Sequence, residues 1–171
     1  PTIPFRDLAI QRRENDLVGA TFGRGFFILD DYSCLREADA DTLAKDAHLF
    51  GARDAWWYIP RRPLGQDGAA SQGADYFIGE NPPFGAVFTY HLGAALETRE
   101  EARREKEKTI EAEGGDTPHP GWEAVEAERR EEKPAVLLTV RDPDGAVVRR
   151  LEGPTEKGFH RVAWDLRHPS P

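Results

Sequence analysis

The chain has 171 residues, a hydrophobic content of 39% and a formal net charge of −8. This length and apolar fraction suffice for one packed core, and the acidic balance excludes the concentrated basic surface that nucleic acid binding requires. The sequence has no run of 18 apolar residues, so no membrane span is predicted.

Short strands dominate the first part of the chain. Three are predicted, separated by turns at Glu14-Asn15 and Gly23-Arg24: Asp7–Gln11, Asp16–Thr21 and Gly25–Asp30. Three meandering strands cannot bury both of their faces alone. Residues 1–32 are therefore expected to need neighbouring protein, either a sandwich in the same chain or a missing domain.

The next stretch contains the most ambiguous cluster of the sequence. Asp39–Ala47 predicts a short helix, because Asp39 suits a helix start, and His48–Tyr58 has the texture of a strand. Neighbouring strand residues point to opposite faces, so at most one of two adjacent tryptophans can join one core. An exposed indole could stack on a sugar ring or a partner surface. The candidate ligand or interface residues are therefore Trp56, Trp57 and Tyr58. Residues 63–75, rich in Gly, Ala, Gln and Asp, predict a flexible loop.

The second half of the chain predicts a β-sandwich interrupted by a helical hairpin. Its predicted strands are Gly85–Leu92, Val136–Val140, Val147–Leu151 and Gly158–Arg167. In the last of these, Val162, Trp164 and Leu166 lie two apart, which places them on one inward face. The hairpin, at about 93–133, combines a solvated helix at Glu97–Lys108, stabilised by a Glu100–Arg104 pair, with a second helix at Trp122–Glu132. Trp122 and Val125 are expected to face inward.

The residues show no pattern typical of catalysis, and we assign no catalytic, cofactor or metal residue. Cys34 has no neighbouring histidine to activate it and is interpreted as a small half-buried residue. Asp30-Asp31 lacks an identifiable acid/base partner and is interpreted as a strand-end cap or turn.

Asp142-Pro-Asp-Gly145 starts like a calcium loop, but Val147 and Val148 stand where ligands would follow, which favours a plain turn. Thr21-Phe-Gly-Arg-Gly25 precedes a strand and not a helix, which favours a hairpin turn over a phosphate loop. The five histidines lack the four-apart spacing of a helical zinc site.

Three ordered motifs resemble the carboxyl-terminal region of bacterial sortilin-like or sialidase-like β-propeller proteins, which are often labelled glycosyl hydrolases. These are Asn15-Asp-Leu-Val-Gly-Ala-Thr-Phe-Gly-Arg-Gly-Phe-Phe-Ile-Leu-Asp-Asp31, Asn81-Pro-Pro-Phe-Gly-Ala86 and Gly158-Phe-His-Arg-Val-Ala-Trp-Asp-Leu-Arg167. The tail also resembles the immunoglobulin-like module of flagellar hook-capping proteins. The Asp-box repeat of such propellers does not occur in the sequence.

The resemblance implies a mainly β fold: an immunoglobulin-like or fibronectin-like β-sandwich with the inserted hairpin over 33–171, preceded by strands of a final propeller blade over 1–32. It implies a fragment of a longer, exported protein that carries a β-propeller upstream. Catalytic groups of a glycoside hydrolase would lie on that propeller, so none is carried over, and the hydrolase label rests on fold analogy alone. The expected function is a non-catalytic accessory module that buttresses the propeller. Two alternatives stay open: a carbohydrate-binding module that uses Trp56 or Trp57, and a peptide- or protein-binding module that uses the hairpin at Glu97–Glu132.

Overall fold

The structure is a computed structural model that describes residues 3–23, 25–59 and 79–169. The predicted flexible loop at 63–75 lies outside the described residues. The fold is mainly β, as the sequence predicts. The strands are β1 Phe5–Gln11, β2 Asp16–Thr21, β3 Phe26–Leu29, β4 Ala47–Leu49, β5 Ala86–Leu92, β6 Val136–Arg141, β7 Val147–Gly153 and β8 Gly158–Trp164. The helices are α1 Cys34–Glu37, α2 Ala40–Leu43, α3 Arg99–Ala112 and α4 Trp122–Arg130.

The chain divides into two compact units. The first contains the described parts of Pro1–Ala38, Phe50–Phe88 and Ala163–Arg167. The second contains those of Asp39–Leu49, Thr89–Val162 and His168–Pro171. The division of the sequence into a blade at 1–32 and a sandwich at 33–171 stays a prediction.

In the first unit, β1, β2 and β3 form an antiparallel sheet in chain order, which we call the amino-terminal meander. All three predicted strands are confirmed. The second turn is closed by Thr21, whose backbone N–H and side-chain hydroxyl both donate to the Gly25 carbonyl, at 3.1 and 2.9 Å. The phosphate-loop-like glycines thus belong to a hairpin, as the sequence favours.

The predicted helix at Asp39–Ala47 is shorter than expected. Asp39 caps α2 through a reciprocal pair of bonds with Thr42, which confirms the helix start. The helix ends at Leu43, however, and Ala47 already belongs to β4.

The predicted strand at His48–Tyr58 is wrong beyond Leu49. β4 pairs with β5 over only three positions, from Ala47 opposite Leu92 to Leu49 opposite Tyr90. Two residues later, the Gly51 N–H donates to the carboxylate of Glu37 at 3.2 Å and not to a strand. Aromatic residues are frequent in strands because they pack well on a half-buried surface. The same residues can pack in a segment without strand geometry, so their presence alone does not identify a strand.

The second unit has its core on β5, whose sheet has the strand order β4-β5-β8. Tyr90, His91 and Leu92 are buried, and the Tyr90 hydroxyl donates to the Pro154 carbonyl at 2.5 Å. Burial raises the pKa of Tyr90, and the Coulombic field of Glu156 adds to the rise. The strand predicted at Gly85–Leu92 is confirmed from Ala86 onward.

The hairpin of β6 and β7 follows the predicted pattern. Val136, Leu138 and Val140 are half-buried, while the residues between them are exposed. The turn at Asp142–Gly145 is confirmed, because the Gly145 N–H donates to the Asp142 carbonyl at 3.0 Å and the Ala146 N–H donates to the Asp142 carboxylate at 2.8 Å. The immunoglobulin-like or fibronectin-like arrangement of the sheets stays a prediction.

The last strand ends earlier than predicted. β8 stops at Trp164, and Leu166 has a φ of 60°, which no strand residue adopts. Leu166 therefore does not share a strand face with Val162 and Trp164. Trp164 itself is half-buried, and its indole N–H donates to the Arg167 carbonyl at 2.9 Å.

The two helices predicted at about 93–133 are present as α3 and α4. Arg103 of α3 joins them through paired hydrogen bonds to Glu128 of α4, at 2.7 and 2.8 Å. The hydrogen bonds from Arg103 outweigh desolvation and hold the pKa of Glu128 below its usual range. The predicted Glu100–Arg104 pair is confirmed at 2.6 Å.

The inward orientation predicted for Trp122 is wrong, because its side chain is 81% exposed. Trp122 is the first residue of α4, and its ring contacts His119 in the preceding turn, at 5.1 Å between ring centres. Val125, one turn later, is half-buried. Within the described ranges, no helix has both the length and the apolar character that crossing a bilayer requires.

Candidate functional site

The amino-terminal meander has one broad apolar face that is open to solvent. Cross-strand partners lie on the same face of a sheet, so the register places Leu8 beside Gly19 and Phe27, and Ile10 beside Leu17 and Leu29. Phe5 joins this face through an edge-to-face contact with Phe27 at 5.9 Å. Leu8 is 62% exposed. Phe5, Leu8, Leu17, Phe27 and Leu29 line an open apolar depression of about 390 Å³.

The opposite face of the same sheet is also apolar. Ala9, Val18 and Ile28 are aligned across the three strands, and Ala20 lies beside Phe26. Phe26 is 75% exposed and Ile28 is 59% exposed. The meander therefore presents apolar side chains to solvent on both sides, which is unusual for a sheet that is complete in itself.

A second surface of the first unit is a cleft of about 480 Å³, which we call the Trp56 cleft. Three separate stretches of chain line it: the turn between β1 and β2, the segment after β4 and the segment before β5. The lining residues are Arg13, Glu14, Asp16, Arg53, Ala55, Trp56, Tyr58, Asn81, Pro82, Pro83 and Gly85.

An ion-pair network joins two of these stretches. Arg53 is bonded to the Glu14 carboxylate and lies 3.6 Å from the Asp31 carboxylate. Arg13 donates to the other Glu14 oxygen at 2.9 Å, and Asp16 accepts the Asp31 N–H at 3.0 Å. Desolvation opposes ionisation of Glu14, but the hydrogen bonds from Arg53 and Arg13 outweigh it and hold the pKa of Glu14 below its usual range. Glu14 is thus a fixed anion and not a proton donor at neutral pH.

An aromatic cluster joins the segment after β4 to the segment before β5. Phe84 makes edge-to-face contacts with Tyr58 at 5.0 Å and with Trp57 at 6.0 Å. Trp57 and Tyr58 are therefore used in packing two segments of chain together, although both remain exposed on one side. Trp56 lies in the cleft and is 63% exposed. A ligand or interface role for Trp56, Trp57 and Tyr58 stays a prediction.

Two of the sequence motifs meet beside this cleft. Gly85, from Asn81-Pro-Pro-Phe-Gly-Ala86, has a φ of 106° and lies so close to Trp164, from the closing motif, that an added Cβ would overlap the Trp164 carbonyl oxygen. Only glycine satisfies both requirements without strain. The contact gives a structural reason for the glycine in the Asn81–Ala86 motif.

The other candidate residues have structural surroundings. Cys34 is buried at the start of α1, deeper than the half-buried position expected. Asp31 accepts hydrogen bonds from the Ser33 N–H and hydroxyl, at 3.2 and 2.6 Å, which confirms a turn after β3. Its additional contact with Arg53 corresponds to no local sequence pattern. His48 and His91 occupy paired positions on β4 and β5. Within 3–23, 25–59 and 79–169, no group of three or more metal-ligating side chains comes together.

The sequence does not predict the Trp56 cleft, because its walls come from stretches that are far apart in the chain. Glu14 and Arg53 are 39 positions apart, and no local pattern signals their pairing. The chain matches no protein-family model, and neither a curated protein nor a solved structure is detectably similar to it.

Proposed function

We propose that this chain is a non-catalytic accessory module that buttresses a β-propeller of the same parent protein, with residues 1–32 supplying strands of the final blade. The observation that carries the proposal is the exposure of apolar side chains on both faces of the amino-terminal meander. A propeller blade packs between two neighbouring blades and so needs an apolar surface on each side. A sheet that covers a core from one side needs only one.

The central strand of the meander supports the same proposal. β2 carries Leu17, Val18, Gly19 and Ala20 in succession, a continuous apolar run of the kind found in strands that are buried on both faces. On the neighbouring β3, all four residues, Phe26–Leu29, are apolar and exposed. Each such side chain gains about 1.5–3 kcal/mol when it is buried, so the surface favours a permanent neighbour.

The parent protein of the proposal is a sortilin-like or sialidase-like propeller protein, and export of that protein belongs to the same proposal. Support comes from the three sequence motifs and from the contact between two of them at Gly85 and Trp164. Any hydrolytic chemistry would then reside on the propeller.

The test compares two lengths of the protein: the 171-residue chain and a longer protein that includes the residues encoded upstream of Pro1. Leu8→Lys and Ile28→Lys place a charge on opposite faces of the meander. In the short chain each should change the free energy of unfolding by less than about 0.5 kcal/mol, because both residues are exposed. In the long protein each should cost more than about 3 kcal/mol, because the charge would be buried without a partner.

Glu105→Lys, on the exposed surface of α3, is the matched control and should be nearly neutral at both lengths. The proposal would be wrong if the two meander variants were as mild in the long protein as in the short one. An upstream sequence without recurring blades would also contradict it.

A further inference from the structure

The Trp56 cleft has the size of a ligand site, and side-chain contacts join its walls. Its volume of about 480 Å³ falls within the range of about 300–1,000 Å³ that is typical of small-molecule sites. The segment after β4 is joined to the turn after β1 by the Arg53–Glu14 ion pair and to the segment before β5 by the Phe84 cluster. A cleft whose walls are held in this way loses little conformational entropy when a ligand binds.

The charges that line the cleft are balanced. Two arginines, Arg13 and Arg53, stand against two acids, Glu14 and Asp16. Arg53 is engaged by Glu14 and Asp31, and Asp16 already accepts a backbone N–H. An anionic ligand would have to compete with these carboxylates for the guanidinium groups. The balance therefore favours a ligand without net charge.

The remaining groups suit a ligand that is apolar on one side and rich in hydroxyls on the other. Trp56, Pro82 and Pro83 provide apolar surface, and an exposed indole can stack on the C–H face of a sugar ring. Asn81 is exposed and carries both a donor and an acceptor. The side chain of Arg13 is 76% exposed and uses its Nε–H on Glu14, which leaves terminal N–H groups for ligand oxygens.

We infer that the Trp56 cleft binds a neutral oligosaccharide, with one sugar ring stacked on Trp56 and its hydroxyls bonded to Asn81 and Arg13. This site is separate from the apolar meander faces that carry the accessory role. Either proposal can therefore fail while the other stands.

The experiment is a calorimetric titration of the 171-residue chain with cellotetraose, xylotetraose and maltotetraose, each up to about 10 mM, so that a site with a Kd of about 1 mM would be mostly filled. At least one of the three should bind. Trp56→Ala should then weaken binding by about tenfold or more, since a central tryptophan carries much of the affinity of a site. Asn81→Ala should weaken it by about three- to tenfold, the effect of one lost hydrogen bond.

Trp122→Ala removes another exposed tryptophan, from α4, and should leave the affinity unchanged. Tetragalacturonate and decaproline test the two other ligand classes, an anionic sugar and a proline-rich peptide. The inference is overturned by no binding of any neutral tetrasaccharide, by binding that Trp56→Ala leaves intact, or by tighter binding of either comparison ligand. Because Trp56 is exposed, circular dichroism should show an unchanged fold for its alanine variant.

Discussion

The amino-terminal meander and the β4-β5-β8 sheet are both three-stranded, yet they differ in how far their apolar residues are buried. β3 is wholly apolar and wholly exposed, whereas the more polar β5 ends in three buried residues, Tyr90, His91 and Leu92. The difference shows that the apolar residues of a strand indicate how much of it must be buried in the complete protein. They do not indicate whether the described chain itself buries them.

The two sheets should therefore respond differently to the same kind of substitution. A side chain that is already buried contributes its full transfer energy and its packing contacts to stability. One that faces solvent contributes little until a neighbour covers it.

Gly85→Ala should have the largest effect. Gly85 immediately precedes β5, has a φ of 106°, and has no room for a Cβ because of the Trp164 backbone, whose carbonyl carbon would lie 2.8 Å away. Since the obstacle is backbone and the φ value disfavours any side chain, we expect a loss of more than about 4 kcal/mol in the free energy of unfolding, measured in urea.

Gly145→Ala is the matched control, because Gly145 also has a positive φ, of 86°, but no atom lies within 4 Å of its added Cβ. It should cost only the backbone strain, about 1–2 kcal/mol. Equal losses for the two variants would show that the close approach to Trp164 has no energetic weight.

Leu92→Ala should come next, with a cost of about 2–5 kcal/mol. Leu92 is 3% exposed at the end of β5, so the shorter side chain leaves a cavity. Leu8→Ala makes the same chemical change in the meander and should cost less than about 1 kcal/mol, because Leu8 is already open to solvent. Urea melts of both variants measure the contrast directly, and similar losses would contradict the comparison between the sheets.

The elements with a clear local signal could be predicted from the sequence. The alternation of Val136, Leu138 and Val140 is that of a half-buried strand, and Asp39 suits a helix start, so both were predicted correctly. The errors arose where an apolar pattern continued past a change in backbone conformation. Leu166 continues the spacing of Trp164 but has a positive φ, and Trp56 follows strand-like residues although β4 has already ended.

The candidate site was predictable only in part. Adjacent tryptophans cannot share one strand face, so the sequence alone marks Trp56 as a candidate ligand residue, although the strand expected there ends at Leu49. Its surroundings could not be foreseen, since Arg53 and Glu14 are brought together by the fold and not by a motif. The apolar faces of the meander, by contrast, follow from a sequence with three strands and too few polar positions.

Charge should matter more to the meander than its apolar surface does, and Glu14→Gln tests this. Glu14 lies in the turn between β1 and β2 and is bonded to Arg53 and Arg13. Its folded-state pKa is lowered from the ordinary value of 4.5, so the ion pairs stabilise the fold above pH 4.5. That contribution is lost as the pH falls through the folded-state pKa.

Unfolding free energies measured in urea between about pH 7 and pH 3 should therefore fall less steeply for Glu14→Gln than for the wild type: the difference between the two should be constant above the ordinary glutamate pKa and should shrink below it. Leu8→Ala, a change in the same sheet that does not titrate, should keep the wild-type slope. If Glu14→Gln and the wild type lost stability in parallel, the turn would not depend on its ion pairs. The meander would then be held mainly by backbone pairing between β1, β2 and β3 and by the partial burial of β2.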